Sequence, residues 1–287
     1  MNAIGIIGQG FVGSAIREGF REHFGIYTFD IKEPNSITIY DELFVGVSAH
    51  EAQFPHEHLV TKVDGPIFVC LPTPMRGDGS CDYSLVRNTL DDLNYWAEKH
   101  DRVVDVIIKS TITPGTTQSL STKYKNCRLC YNPEFLTEAN AQADFQNQDR
   151  IILGYANQVT ETKPLVSIPR TTYEKAFPRV PIVELDSTMA EMVKHVTNIF
   201  LATKVSLANE FAQICEKLGI DYSQTIATAC LDERLGQSHW SAPGPDGHYG
   251  FGGSCFPKDL NSLIHTARVL GVPPTVMLAV WYKNVEV

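Results

Sequence analysis

One cysteine near the end of the sequence lies in a segment, GFGGSCFPKDL, whose residue types could carry nucleophilic chemistry. Cys255 follows two glycines, and Asp259 comes four residues later, after Pro257 and Lys258. A thiolate attacks carbonyl carbons, and a nearby carboxylate can manage protons during such an attack. Cysteine is also among the most frequently buried residue types, so this segment alone favours a structural thiol in a glycine-rich turn.

A second polar pair lies within a long helical pattern. Lys194 and Asn198 are four residues apart, so an ammonium and an amide share one face of a helix. Such a pair, placed in a cofactor cleft, could stabilise an oxyanion. Without other support, an ordinary solvated lysine is the better interpretation of Lys194.

A glycine-rich turn near the first residue predicts dinucleotide binding. It follows an apolar run and opens a helical pattern, and its members are Gly8, Gly10, Phe11, Val12 and Gly13. Glycines let the backbone approach a pyrophosphate, and the helix N-terminus supplies N–H groups. Asp30 ends the next predicted strand, where a carboxylate accepts hydrogen bonds from ribose hydroxyls and repels a 2′-phosphate, which favours NAD over NADP. NAD enzymes that oxidise aldehydes to acids need a nucleophilic sulfur, so this context favours a functional thiol.

Strand-like and helix-like patterns alternate along the first two thirds of the chain. Apolar runs predict strands at 3–8, 26–30, 66–74, 103–111, 127–133, 150–155 and 180–185, and helical spacing predicts helices at 11–24, 82–100 and 114–124. The alternation predicts an α/β fold with a Rossmann-like, doubly wound, mostly parallel sheet over residues 1–185. Residues 186–287 are expected to form an all-helical central domain with one long helix, which starts at a capping box of Thr188 and Glu191 and stops at Gly219.

Composition limits the classes of partner. The 287 residues are 43% hydrophobic, enough for a sizeable core, and the net charge is −9 without any Lys/Arg-rich run. This argues against nucleic acid or an anionic membrane as the main partner. The first residues lack the basic start and long apolar run of a signal peptide, so a cytoplasmic protein is expected.

Two groups of residues invite a metal interpretation. Cys127 and Cys130 form a CxxC, but they lack a second pair and lie in a predicted strand, where their side chains point to opposite faces. His50, His56 and His58 lie in a loop-like region without accompanying cysteines or patterned carboxylates, so a solvated loop is the better interpretation. No metal site is predicted.

Six segments in order along the chain resemble the UDP-glucose/GDP-mannose dehydrogenase family. They are GIIGQGFVG, VCLPTP with GDGSCDYSLV, KSTITPGTT, NPEFLTEANAQADF, AEMVKHVTNIFLATKVSLANEFAQICEKLGID and FGGSCFPKDL. Six matches in the same order are far more specific than any one of them. They favour functional roles for Cys255 and Lys194 over the structural interpretations given above. Family members usually carry a third, C-terminal domain that holds much of the nucleotide, and this sequence ends at Val287, where that domain would follow. A naturally short form of the family and a trimmed chain both explain this.

The resemblance implies an NAD-dependent, four-electron oxidation of a nucleotide sugar, such as UDP-glucose, to the uronic acid. Cys255 matches the thiol that forms a thiohemiacetal and then a thioester, and Lys194 and Asn198 match the pair that stabilises oxyanions. Asp259 matches a carboxylate that either works with an ordered water or tunes the lysine and cysteine. Glu134 matches an acid or base, and Thr111 matches a water-ordering hydroxyl.

The resemblance also assigns binding positions. Matches to NAD contacts are Gly8, Gly10, Phe11, Val12, Gly13, Asp30, Lys32, Thr73, Thr111 and Glu138. Matches to substrate contacts are Phe135, Leu136, Lys194, Asn198, Arg234, Tyr249, Gly252 and Gly253. In the family, the arginine that matches Arg234 reaches the substrate across a dimer interface, and the helix at 188–218 matches a dimer-forming element, which predicts a homodimer.

Two other functions stay open from the sequence. A two-electron β-hydroxyacid-type dehydrogenase also uses a Rossmann domain and a Lys–Asn helix, but it does not need a thiol at Cys255. A non-catalytic or partner-dependent NAD-binding subunit would keep the fold without a nucleotide-binding domain. The chain retains all six matches to catalytic positions, which argues against such a subunit: Thr111, Glu134, Lys194, Asn198, Cys255 and Asp259.

Overall fold

The computed structural model describes residues 1–34, 36–41, 46–156 and 167–287. The strands described there are β1 Ala3–Ile7, β2 Gly25–Phe29, β3 Ser36–Asp41, β4 Gly46–Glu51, β5 Ile67–Val69, β6 Val104–Ile108, β7 Cys127–Tyr131, β8 Ile151–Tyr155 and β9 Ile182–Asp186. The helices are α1 Phe11–Phe20, α2 Pro55–Lys62, α3 Ser84–Lys99, α4 Thr116–Lys123, α5 Ala141–Gln146, α6 Ile168–Ala176, α7 Ser187–Leu218, α8 Tyr222–Ala229, α9 Phe256–Val269 and α10 Thr275–Glu286.

The nine strands of the described residues form one mixed sheet in the order β4-β3-β2-β1-β5-β6-β7-β8-β9. Strands β2, β1, β5, β6 and β7 pair parallel to one another, as do β8 and β9. The antiparallel pairs are β2 with β3, β3 with β4, and β7 with β8. The predicted α/β fold, with a mostly parallel sheet, is therefore confirmed.

The sequence patterns missed the two strands at one edge of the sheet. β3 and β4 pair only at that edge and are not the continuous apolar runs that mark buried parallel strands. The histidine region was also misjudged, because His50 lies in β4 and His56 and His58 lie in α2. The His56 ring packs edge-on against Phe29, with ring centroids 5.1 Å apart, so this region is ordered structure and not a solvated loop.

Alternate residues of the central strands enter two separate hydrophobic clusters. Val106 and Ile108 of β6 belong to one cluster, and Ile107 between them belongs to the other. In the same way, Ile67 and Val69 of β5 flank a phenylalanine of the opposite cluster. Burial on both faces explains why β5 is an unbroken apolar run and why β6 is apolar except at Asp105.

The chain divides into two compact units. The first comprises Met1–Thr73 and Asp82–Lys194, and the second comprises Pro74–Cys81 and His195–Val287. The first unit contains the sheet, and the second is helical with a core that includes Phe251, Leu260 and other residues of α7, α9 and α10. The boundary at 185/186 that the sequence suggested stays a prediction.

The long helix α7 was predicted correctly, but its cap was not. The helix begins at Ser187, and the Asp186 side chain accepts hydrogen bonds from the N–H groups of Thr188 (2.8 Å) and Met189 (3.4 Å). Thr188 is thus already inside the first turn, so it cannot form a capping box with Glu191. No helix in the described ranges is long and apolar enough to cross a bilayer.

Candidate active site

The loops that carry the predicted chemistry follow neighbouring parallel strands of the first unit. The glycine turn follows β1, Asp30 follows β2, and Lys109 follows β6. The segment that contains Asn132 and Glu134 follows β7. Parallel neighbouring strands bring their carboxyl ends to one edge of a sheet, which is where α/β proteins bind ligands.

The glycine turn leaves its backbone open to a ligand. Gly8 has φ +92°, and a Cβ there would lie 2.4 Å from the carbonyl oxygen of Cys70. A Cβ at Gly13 would lie 1.9 Å from the Gly8 carbonyl oxygen, whereas one at Gly10 would meet nothing within 4 Å. Helix α1 starts directly after Gly10, with no side-chain cap and no acidic residue in its first turn. This arrangement fits a pyrophosphate at the helix N-terminus.

The Asp30 carboxylate is held beside the same turn. It accepts hydrogen bonds from the backbone N–H of Gln9 (2.7 Å) and of Lys32 (3.0 Å). Phe11 and Val12 are half-buried against the hydrophobic cluster under α1, so they anchor the turn. Asp30 therefore lies next to the glycine turn, as both were predicted to contact NAD. Lys32, another predicted NAD contact, is exposed.

Two further loops of the first unit are joined by hydrogen bonds. The Thr73 hydroxyl donates to the carbonyl oxygen of Thr111 at 2.6 Å, and the Ser110 hydroxyl accepts from the backbone N–H of Leu71 at 2.9 Å. The predicted positions Thr73 and Thr111 are thus neighbours. Glu138 is exposed, in a short 3₁₀ turn.

A buried ion pair joins two of the predicted residues. Lys194 and Glu134 have side chains that are 3% and 6% exposed, and the Lys194 ammonium lies 3.0 Å from Glu134 Oε1. The same ammonium donates to the Glu134 carbonyl oxygen and lies 5.5 Å from the centroid of the Phe135 ring. Glu134 Oε2 accepts from the backbone N–H of Leu136 at 2.8 Å. A buried charge needs such pairing, so this ammonium is fixed in place.

A second buried lysine was missed as a site candidate. The Lys109 ammonium donates to Asn132 Oδ1 at 2.7 Å, and the Tyr173 hydroxyl donates to the same oxygen at 2.5 Å. Burial lowers the pKa of Lys109 to about 8, and the nearby thiol of Cys70 and carboxyl of Glu134 oppose this in part. The position of Lys109 in the sequence could have indicated it. A lysine and an asparagine directly follow two apolar strands, at the edge of the sheet where α/β proteins bind ligands.

A pocket of about 480 Å³ lies within the first unit. Its lining includes the predicted substrate contacts Phe135 and Leu136, together with Lys109, Glu134 and Arg150. The Arg150 guanidinium carbon lies 4.8 Å from the Phe135 ring centroid. The volume is in the range of small-molecule sites, and five charged residues line it, because Asp144 and Asp149 join the three named above.

The second unit holds a separate group of polar residues around Asp259. Asp259 is fully buried, and its two oxygens accept from Asn198 Nδ2 at 2.6 Å and from Lys258 Nζ at 2.5 Å. Cys255 is half-buried at the N-cap position of α9, and its carbonyl oxygen accepts from the Asp259 N–H at 2.9 Å. The structure therefore brings together Cys255, Asp259 and Asn198, which are the predicted nucleophile, carboxylate and amide.

The glycine-rich segment before Cys255 is anchored at one point. The Asn284 side chain accepts from the Phe251 N–H at 2.6 Å and donates to its carbonyl oxygen at 3.0 Å. The predicted contacts Tyr249, Gly252 and Gly253 are exposed. The Arg234 side chain is 88% exposed and pairs with Asp232, two residues earlier in the chain.

Comparison with known proteins decides the family. Residues 49–175 match the model of the UDP-glucose/GDP-mannose dehydrogenase family NAD binding domain, and residues 188–286 match the model of its central domain. The UDP-glucose 6-dehydrogenase AglM of Haloferax volcanii is 32% identical over 96% of this chain and 68% of its own length. The chain belongs to the UDP-glucose/GDP-mannose dehydrogenase family.

Other family members and solved structures agree with this. The UDP-glucose 6-dehydrogenase of Rickettsia bellii is 33% identical over 86% of this chain. A UDP-glucose dehydrogenase structure from Pyrobaculum islandicum has a TM-score of 0.80 and 25% identity, and covers all of this chain and 68% of its own. The 3-hydroxyisobutyrate dehydrogenase of Mycobacterium tuberculosis has a TM-score of 0.65 at 16% identity over 98% of this chain and 91% of its own, which is a likeness of fold alone.

This chain spans part of the length of its relatives in the family. The alignments cover 68% of the Haloferax protein and 55% of the Rickettsia bellii protein. The match to the family's NAD binding domain, together with the open glycine turn and Asp30, confirms NAD as the cofactor that the sequence predicted. The roles of the individual site residues stay predictions.

The CxxC of this family member lies in β7, as its pattern predicted. Both thiols are buried, and burial raises the pKa of Cys127 to about 12 and that of Cys130 still further. Among the described residues, no group of three or more His, Cys, Asp or Glu side chains is arranged to hold a metal ion.

Proposed function

We propose that this chain catalyses the NAD-dependent, four-electron oxidation of a nucleotide sugar at its primary alcohol, with UDP-glucose as the first substrate to test. The product would be the uronic acid, formed through a covalent bond to Cys255. The observation that carries the proposal is the position of this thiol. It opens α9 one turn before the buried carboxylate of Asp259, which in turn binds Asn198. Membership of the family makes this chemistry the first to test.

The first oxidation turns the alcohol into an aldehyde. When bound, NAD supplies the acceptor for one hydride in this oxidation and for one in the next. The hydroxyl proton must leave as the hydride leaves the carbon, and the Glu134 carboxylate is the candidate base. The Lys194 ammonium, held by Glu134, would stabilise the negative charge on the sugar oxygen.

The second oxidation uses the thiol. The Cys255 thiolate adds to the aldehyde carbon, so that a C–S bond forms and the carbonyl electron pair moves to the oxygen. Lys194 and Asn198 are assigned to this oxyanion. The N-terminus of α9 stabilises negative charge at Cys255 before the attack. Loss of the second hydride from the thiohemiacetal leaves a thioester.

Hydrolysis completes the cycle. Water adds to the thioester carbon, the C–S bond breaks, and the sulfur leaves with the bonding electrons and is available for the next cycle. Asp259 is assigned as the group that accepts a proton from this water, and Thr111 as the hydroxyl that orders it. The balance is one alcohol and one water consumed, and two hydrides, two protons and one carboxylic acid produced.

The test is a stoichiometry measurement. The chain is incubated with NAD and with UDP-glucose, a UDP-hexosamine or GDP-mannose, and NADH formed is counted against sugar consumed. Two NADH per sugar, with the uronic acid as product, is the expected result. Cys255→Ala should abolish acid formation. Cys215→Ala removes another thiol of the second unit, near the end of α7, and should keep the ratio of two.

Two outcomes would contradict the proposal. One NADH per sugar, with Cys255→Ala unaffected, would indicate a two-electron dehydrogenase. Absence of turnover with every sugar, alongside clean NAD binding, would indicate a partner-dependent NAD-binding subunit.

A homodimer through residues 188–218 is part of the same proposal. Apolar side chains on α7 are exposed at helical spacing, among them Val196, Phe200, Phe211 and Leu218. A stripe of this kind favours burial against another helix. Light scattering that gives the monomer mass at working concentration would contradict it. A cytoplasmic location stays a prediction from the sequence.

A further inference from the structure

A buried glutamate on α7 makes contacts that the proposed chemistry does not use. Glu191 is fully buried in the first unit. One carboxylate oxygen accepts from the Gly115 N–H at 2.5 Å, and the other accepts from the N–H and the hydroxyl of Thr117 at 2.8 and 2.6 Å. All three hydrogen bonds go to the start of a single helix, α4.

Helix α4 cannot supply this cap from its own sequence. Its N-cap residue is Gly115, which has a left-handed φ of +93° and no side chain, and its first turn contains no acidic residue. A helix N-terminus exposes unpaired N–H groups and the positive end of the helix dipole, which a carboxylate satisfies. Here that carboxylate comes from a residue 74 to 76 positions further along the chain.

The capped helix directly follows the segment that holds Thr111. The Thr73 hydroxyl binds the Thr111 carbonyl oxygen on one side of this segment, and Glu191 binds Gly115 and Thr117 on the other. Glu191 precedes Lys194 by three residues in α7, a rise of about 4.5 Å along the helix axis. One carboxylate therefore connects the Thr111 segment to the turn of α7 that carries the Lys194 ammonium.

We propose that Glu191 is a positioning residue, whose carboxylate holds the Thr111 segment in register with Lys194. The role rests on the proposed function, because Thr111 and Lys194 are its assigned residues. A glutamine at this position would be close in size but would turn an NH₂ group toward N–H donors. It would therefore lose hydrogen bonds from one side of the cap.

The experiment compares three variants at pH 8, where Glu191 is ionised. Glu191→Gln should lower kcat by about 10²-fold, the loss expected when a group near the reacting atoms is misplaced by ~1 Å. KM for NAD and for the sugar should change by a smaller factor than kcat, because the other matched binding positions keep their contacts. Thr117→Val removes one of the three bonds and should give a smaller loss of kcat.

Asp221→Ala is the matched control. Asp221 caps α8 in the second unit by accepting from the Gln224 N–H at 2.8 Å, so this variant removes a carboxylate cap that is remote in sequence from the proposed chemistry. It should lower thermal stability while leaving kcat unchanged. If Glu191→Gln lowers kcat no more than Asp221→Ala does, the positioning role is overturned.

Amide hydrogen exchange gives a second readout that does not depend on turnover. Glu191→Gln should lose protection in peptides covering residues 110–118, with the rest of the sheet unit unchanged, and Asp221→Ala should not. Unchanged protection at 110–118 would overturn the positioning role, even if the wild-type chain proves inactive. An inactive wild type with lost protection would reject the proposed function and retain the link between Glu191 and the Thr111 segment.

Discussion

The charged side chains around Lys194 in the first unit and the Cys255 side chain in the second differ in how deeply they are buried. In the first unit, Lys194, Glu134 and Lys109 are buried and bound to neighbouring polar atoms. In the second, Cys255 is half-buried after a glycine-rich segment whose Gly252 and Gly253 are exposed. A fixed ammonium can stabilise charge without reorganising, whereas a nucleophile must approach and leave a carbon atom. The contrast teaches that charge stabilisation and bond formation make different demands on the fold.

The largest effect is expected from removing the buried ammonium. Lys194→Met leaves the Glu134 carboxylate buried without its partner, and should lower the free energy of unfolding by about 3–5 kcal/mol. Turnover should fall by about 10²–10³-fold or more, because the oxyanion loses a donor. Urea unfolding and NADH assays at pH 8 measure both quantities.

A double variant separates these two effects. Lys194→Met/Glu134→Gln removes both charges and should recover most of the stability but none of the turnover. If stability does not recover, the ion pair is not the cause of the loss.

The next effect concerns pH. Burial raises the pKa of Glu191 from 4.5 to about 7, against the opposing hydrogen bonds from Thr117 and Gly115, and the Asp186 carboxylate adds to the rise. Between these values the folded chain holds a proton that the unfolded chain has lost. The free energy of unfolding should therefore fall as pH rises from about 4.5 to 7, by up to about 3 kcal/mol.

Glu191→Gln cannot titrate and should lack this component. Subtracting its unfolding free energy from that of the wild type at pH 5, 6, 7 and 8 isolates it, because the other groups titrate in both proteins. A difference that stays flat across this range would contradict the raised pKa.

A smaller loss is expected at the buried carboxylate of the second unit. Asp259→Asn turns an NH₂ group toward one of two donors, Asn198 or Lys258, and should lower the free energy of unfolding by about 1–3 kcal/mol. In Asn198→Asp/Asp259→Asn, donor and acceptor are exchanged, so stability should recover while hydrolysis of the thioester stays slow. Lack of recovery would mean that the hydrogen bond of Asn198 is not what stabilises Asp259.

The smallest effect on stability is expected at Cys255, the proposed nucleophile. Cys255→Ser changes a half-buried side chain next to exposed glycines, and should shift the free energy of unfolding by no more than about 0.5 kcal/mol. Acid formation should nevertheless stop, because a hydroxyl replaces the thiol. A large loss of stability would show that Cys255 is a structural thiol, which would remove the contrast between the two units.

Most of the sheet could be predicted from the sequence, because its central strands are buried on both faces. Ile67–Val69 is an unbroken apolar run for that reason, and Val104–Ile108 is apolar except at Asp105. The edge strands Ser36–Asp41 and Gly46–Glu51 lack such runs and were missed. An apolar pattern in a single sequence indicates that a segment is buried, and an edge strand is less buried than a central one.

The site divides in the same way. Cys255 and Asp259 are four residues apart, so their placement at the start of α9 follows from a local pattern. Lys109 was not identified as a site candidate, because Asn132 and Tyr173, which complete its hydrogen-bond network, are distant in sequence. Glu191 was expected to cap its own helix, α7, because its spacing from Thr188 matches a capping box, but its carboxylate caps α4.

The glycine turn is a feature that the sequence alone determines, and the contacts of Glu191 are a feature that only the tertiary structure determines. Gly13 is required because its Cβ would meet the carbonyl oxygen of Gly8, five residues away, so the constraint is local and is written in the sequence alone. The partners of Glu191 lie 74 to 76 residues earlier in the chain, beyond any periodicity that a helix or a turn imposes. Hydrogen bonds and charges act through space, and only the folded chain decides which helix end a buried carboxylate meets.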